Sequence, residues 1–187
     1  MSFKIHTIES APEASKESLQ NIKDKYGFIP NIMGEFAESP AILKSYLDMG
    51  TNLNKLGNLS NEEQFILFTT VSVEHGCSYC KTAHTAGAKG QNLDADLIEA
   101  VRNQEKLSDE KLEAFRQYVL SIYKNKGNVD DKAKEAFIDA GYGPREALEI
   151  ILGMSMKLIT NYTNSLAGTE VDPQFEKAAA SADKKAA

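Results

Sequence analysis

One stretch constrains the fold more than any other: Ser60-Asn61-Glu62-Glu63 and the apolar run that follows it. A serine answered by a glutamate three residues later is a capping box, the signature of a helix start. The run Phe65-Ile66-Leu67-Phe68-Thr69-Thr70-Val71-Ser72-Val73 is apolar or small on nearly every face. Its β-branched residues would also suit a strand, but the cap and the length favour a helix buried on most sides. A central helix of that kind needs other helices around it, and the chain supplies their punctuation. Residues 14–26 carry Leu19, Ile22 and Tyr26 at helical spacing and stop at Gly27. Asn31 could cap a short helical stretch after an apolar turn. Ser39-Pro40 reads as an N-cap with proline at the first helical position, where its missing N–H costs nothing. Helices are expected from the cysteines to about Gly90, near 94–103, from Ser108 to about Lys126, and over 130–140. Gly143-Pro144 opens the last long one.

That last helix carries Leu148, Ile151, Leu152, Ser155, Ile159 and Tyr162 as one stripe, broadened by Ile150, Met154 and Leu158. So much apolar circumference calls for cover from another subunit. The expectation is an all-α chain with one helical domain over 1–175, forming an oligomer, and a frayed Ala/Lys-rich tail over 176–187. The 187 residues suit one core. A formal charge of −6 repels phosphate backbones and argues against nucleic acid. No apolar stretch approaches a membrane span. The opening residues lack the apolar region of a secretory signal, so a cytoplasmic location is expected.

The chemistry concentrates in Val73-Glu74-His75-Gly76-Cys77-Ser78-Tyr79-Cys80-Lys81-Thr82-Ala83-His84, which holds both cysteines and two of the three histidines. On a helix starting near Cys77, at about 100° per residue, Cys77, Cys80 and His84 share one face. His84 lies one turn beyond Cys80, about 6 Å along the axis, so the imidazole reaches Cys80 more easily than Cys77. The helix N-terminus and the histidine both favour a thiolate. A C-x-x-C pair can close into a disulfide, which gives the oxidised state somewhere to go. Zinc is the rival reading, with Cys77, Cys80, His84 and His75 as ligand types. The spacing is tighter than usual for zinc, however, and no second ligand pair lies elsewhere. Glu74 and His75 could belong to a proton relay or to a solvated helix end. Glu63 reads as a cap before a catalyst. Tyr79 could line a substrate pocket or shield the thiols.

The C-x-x-C-x-x-x-H window resembles the core of the alkylhydroperoxidase D and carboxymuconolactone decarboxylase superfamily. Gly27-Phe28-Ile29-Pro30-Asn31 with Glu38-Ser39-Pro40, and Asn161-Tyr162-Thr163-Asn164-Ser165-Leu166-Ala167-Gly168-Thr169, resemble the entry and closing segments of its peroxidase-related branch. The resemblance implies an AhpD-like helical fold, a homotrimer or homohexamer, and peroxide reduction. It implies Cys80 as the peroxidatic thiolate, Cys77 as the resolving thiol and His84 in the proton relay, with an external dithiol or lipoyl-type protein as reductant. No metal or organic cofactor is required. Three departures stand out. A relay glutamate twelve residues before the first cysteine is Phe65 here, leaving Glu63 and Glu74 as the nearest carboxylates. A histidine found between the cysteines in some members is Tyr79, and one in the closing segment is Ser165. The expected activity is a thiol-dependent peroxidase on hydroperoxides, with a general disulfide reductase or a zinc-binding assembly protein as alternatives.

Overall fold

The computed structural model describes residues 3–180, and among them every regular element is a helix. In chain order these are α1 (Glu13–Tyr26), α2 (Asn31–Phe36), α3 (Pro40–Leu56), α4 (Asn61–His75), α5 (Ser78–Gly90), α6 (Ala95–Arg102), α7 (Glu110–Lys124), α8 (Asp131–Asp139), α9 (Pro144–Ala167) and α10 (Pro173–Ala180). The caps explain most of the boundaries. At α4 the capping box is complete: Glu63 N–H donates to Ser60 Oγ at 3.1 Å, and Ser60 N–H donates to Glu63 Oε2 at 2.8 Å. Prolines stand at the starts of α3 and α9. Aspartates 94, 109 and 130 cap α6, α7 and α8.

Helix α4 is the hub, packed against α5, α6, α7 and α9. It buries Phe65, Ile66, Leu67 and Val71, and its small polar Thr69, Thr70 and Ser72 are buried as well. Phe65, Ile66, Leu67 and Val71 join Phe115, Val119, Phe137 and Ile150 in one core cluster. A second cluster gathers Leu19, Ile22, Ile32, Phe36 and Leu43 around Cys77, Tyr79 and Cys80. The cysteines therefore sit inside a hydrophobic cluster, not on a rim.

Helix α9 crosses α4 at Gly153. A Cβ there would run into Leu67 Cδ2 and come within 3.2 Å of Phe68 Cε1, so only glycine allows the helices this close. That approach decides which face of α9 turns inward. The buried face is Ile150, Gly153, Met156, Lys157, Thr160, Asn161 and Asn164. Leu148, Ile151, Leu158, Tyr162 and Leu166 of the same helix are exposed.

One local expectation is corrected. Asn31 does not cap α2; its backbone N–H donates to the Asp172 carboxylate at 3.1 and 3.2 Å, so the capping group comes from far along the chain. Helix α10 ends at Ala180, and Phe175 in its first turn packs edge-on against Phe28 and Tyr79. Most of the Ala/Lys-rich tail expected to fray over 176–187, residues 181–187, lies outside the described residues. Among the described residues no helix is long and apolar enough to cross a membrane.

Candidate redox site

Helix α4 ends at Gly76, whose φ of +80° turns the chain back on itself. Cys77 then becomes the N-cap of α5, its backbone N–H held by Ser72 O at 2.9 Å. Its sulfur takes the place of a capping oxygen, accepting the Cys80 N–H at 3.2 Å. Both sulfurs therefore lie at the positive end of α5, where free N–H groups favour a thiolate. They are joined as a disulfide, with Cα atoms 5.3 Å apart. From α9, Asn164 Nδ2 approaches Cys80 Sγ at 3.2 Å and Cys77 Sγ at 3.6 Å.

One turn along α5, His84 stacks on Phe68 of α4 with ring centres 5.2 Å apart. Its Nε2 lies 2.6 Å from Lys157 Nζ. Lys157 is 2% exposed, and no carboxylate pairs with it among the described residues. Burial alone brings its ammonium down from 10.5 to about 7. Burial, and then the lysine charge, holds the His84 imidazole well below its ordinary value of 6.5. Tyr79 points its hydroxyl to Asp172 Oδ2 at 2.6 Å; burial, and then that acceptor, raise its phenol far above the usual range.

These groups face a cavity of about 1070 Å³. Cys80, His84, Lys157 and Asn164 line it together with apolar side chains such as Ile32, Met33, Tyr46, Leu47 and Met156. Cys77 is not among the lining residues. Although both cysteines are buried, at 6% and 2% exposure for Cys77 and Cys80, only Cys80 borders the space that a small molecule can enter.

The structure thus brings together Cys77, Cys80 and His84, and it leaves Glu74 outside. Glu74 turns toward α7 and pairs with Lys124 at 3.3 Å, because the Gly76 turn separates the end of α4 from the face of α5 that carries the sulfurs. Glu63 is taken by its cap and by the Tyr142 hydroxyl at 2.6 Å, so it serves the core. His75 is likewise occupied elsewhere, stacked on Tyr162 and within 3.3 Å of Ser165 Oγ and 3.4 Å of the Tyr123 hydroxyl. The set Cys77, Cys80, His84 and His75 considered for zinc is not gathered around one point. Phe65, where a relay carboxylate was sought, is core. Sequence reasoning missed Lys157 and the role of Asn164. The one signal for them was the polar spacing Lys157, Thr160, Asn161, Asn164 on an otherwise apolar helix.

An all-helical fold thus carries a two-cysteine centre beside a histidine. The carboxymuconolactone decarboxylase family model matches residues 40–109, a segment that includes the whole cysteine motif. Among solved structures, the alkylhydroperoxidase AhpD core, an uncharacterized peroxidase-related protein from Ralstonia eutropha JMP134, has a TM-score of 0.82 at 18% identity, with 93% of each chain covered. An uncharacterized peroxidase-related protein from Silicibacter sp. TM1040 has a TM-score of 0.78 at 19% identity, covering 94% of this chain and 93% of its own. A cysteine-to-alanine variant of the debrominase Bmp8, in complex with 2,3,4-tribromopyrrole, has a TM-score of 0.73 at 13% identity, with 89% of each chain covered. No curated protein matches the sequence. The family match takes in the cysteine motif, and the solved structures share the AhpD-like helical fold over nearly the whole chain.

Proposed function

We propose that the chain is a cytoplasmic thiol-dependent peroxidase in which Cys80 reduces a hydroperoxide. The observation that carries this reading is that Cys80 alone of the pair borders the cavity, within disulfide reach of Cys77 and one helical turn from His84. Cys80 thiolate attacks the distal peroxide oxygen. The O–O bond breaks, and the leaving alkoxide takes a proton from the His84 side of the site. Cys80 sulfenic acid then condenses with the Cys77 thiol, releasing water and forming the disulfide. An external dithiol, such as a lipoyl-type protein, supplies the two electrons and two protons that reopen it. A dithiol on a long arm suits the buried pair better than a folded protein disulfide would, which weighs against a general disulfide reductase. The bare Leu148, Ile151, Leu158 and Leu166 of α9 support a homotrimer or homohexamer.

The similarity to a debrominase favours a second reading on the same atoms. Cys80 thiolate would take a bromine from an activated ring, the ring would take a proton, and Cys77 would displace bromide to form the same disulfide. The cavity has room for such a ring. Hydroperoxide consumption and bromide release, each measured with excess dithiol, separate the two. The peroxidase reading requires turnover of hydroperoxide that is lost in Cys80→Ser; undiminished consumption by that variant excludes it.

A further inference from the structure

Lys157 is a buried amine with no buried anion beside it among the described residues. Its nitrogen sits 2.6 Å from His84 Nε2 and 6.0 Å from the centre of the Phe68 ring. At that separation one proton lies between two nitrogens, since two protonated groups have no acceptor to offer each other. The pair therefore carries at most one positive charge. Among the described residues, the surrounding elements supply nothing to balance it. From α5 come His84 and the disulfide sulfur of Cys80. From α4 comes Phe68, while Glu63, Glu74 and His75 of that helix are engaged with Tyr142, Lys124 and Tyr162. From α3 comes Tyr46, a phenol pushed up to about 12 by burial and so uncharged. Asp48 reaches only the outer wall of the cavity, 59% exposed and paired with Lys44 at 3.3 Å; Lys25 and Lys55, also on the wall, add only positive charge. Glu35 of α2 accepts the Thr169 hydroxyl beyond the end of α9. An uncompensated buried charge is costly, and it persists where another state of the site supplies the partner.

The state that supplies one is the reduced state. We propose that Lys157 is a positioning residue whose pairing with His84 stores the proton of the Cys80 thiol, so that the pair is charged when the cysteines are reduced. When an external dithiol reopens the disulfide, the S–S bond breaks and the dithiol is oxidised to its own disulfide. Of the two protons it releases, one goes to Cys77 sulfur and the other to the Lys157–His84 pair, leaving Cys80 as thiolate. On oxidation the same proton passes through His84 to the leaving oxygen while Cys80 becomes the sulfenic acid. A lysine poised at about 7 gains and loses that proton near neutral pH.

This inference rests on the thiol reading above only in needing a Cys80 thiolate, so its test uses no peroxide. Reduced protein in a Cys77→Ser background, with Cys80 as its single thiol, is alkylated with iodoacetamide from pH 5 to 9, with and without Lys157→Met. The expected result is about tenfold slower alkylation at pH 7 in Lys157→Met, with the midpoint raised by about one pH unit. An unchanged midpoint overturns the proposal. The Lys157 side-chain NMR resonance in the wild-type chain is the second measurement. It must titrate at higher pH in the reduced protein than in the oxidised protein, and equal midpoints overturn the proposal whether or not Lys157→Met folds. A shifted alkylation profile in a protein that turns over no hydroperoxide would refute the peroxidase reading and leave this one standing.

Discussion

Replacing Lys157 by methionine should make the oxidised protein more stable at neutral pH and less so at alkaline pH. Methionine keeps the length and apolar stem of lysine, so packing against Phe68 changes little. What changes is the charge. The folded chain holds the ammonium at about 7, whereas its ordinary value is 10.5. Between those values the unfolded chain binds more protons than the folded one, so wild-type stability rises with pH across that window. At about 1.4 kcal/mol per pH unit, the half-titrated group costs roughly 4 kcal/mol at pH 7. Losing the lysine also strips His84 Nε2 of its partner, which costs about 1–3 kcal/mol. The net gain for Lys157→Met is therefore roughly 1–3 kcal/mol at pH 7, or about 2–12 °C in Tm for a chain of this size. By about pH 10 the wild type has recovered nearly all its loss, and the variant becomes the weaker of the two. Thermal unfolding of both oxidised proteins at fixed protein concentration, from pH 6 to 10, measures this crossing. Parallel curves, or a variant that is less stable at pH 7, would refute the reasoning.

Two further outcomes follow from the contacts around the sulfurs and the α4–α9 crossing. Asn164→Leu removes the N–H that faces Cys80 Sγ at 3.2 Å. A hydrogen bond to a charged group contributes about 1.5–3 kcal/mol, so the alkylation midpoint of reduced Cys80 should rise by about 1–2 pH units, and an unmoved midpoint would deny Asn164 that role. Gly153→Ala drives a methyl group into Leu67 and Phe68 and should lower stability by about 1–3 kcal/mol in urea unfolding; an unchanged midpoint would mean that α9 shifts without cost.

The sequence made the helices legible because their ends carry local signals. Ser60 and Glu63 announce α4, and Pro40 and Pro144 start α3 and α9. The shared face of Cys77, Cys80 and His84 was readable for the same reason, since one helix sets all three. Groups placed by tertiary contacts were not readable. Lys157 looks like a solvated residue until Gly153 fixes which side of α9 meets α4. Glu74, only three residues before Cys77, seems a natural partner until the Gly76 turn sends it toward Lys124. Asp172 caps α2 from the far end of the chain, with no local pattern to betray it.

The central claim is that Cys80 is the atom that meets the oxidant and Cys77 the one that resolves it. It is tested most directly by treating reduced Cys77→Ser protein with one equivalent of hydroperoxide and identifying the trapped species by mass spectrometry. The account predicts one sulfenic acid per chain, located at Cys80, and none when Cys80→Ser, with Cys77 intact, is treated in the same way. A sulfenic acid on Cys77 in the Cys80→Ser protein, or an unmodified Cys80 in the Cys77→Ser protein, would contradict it.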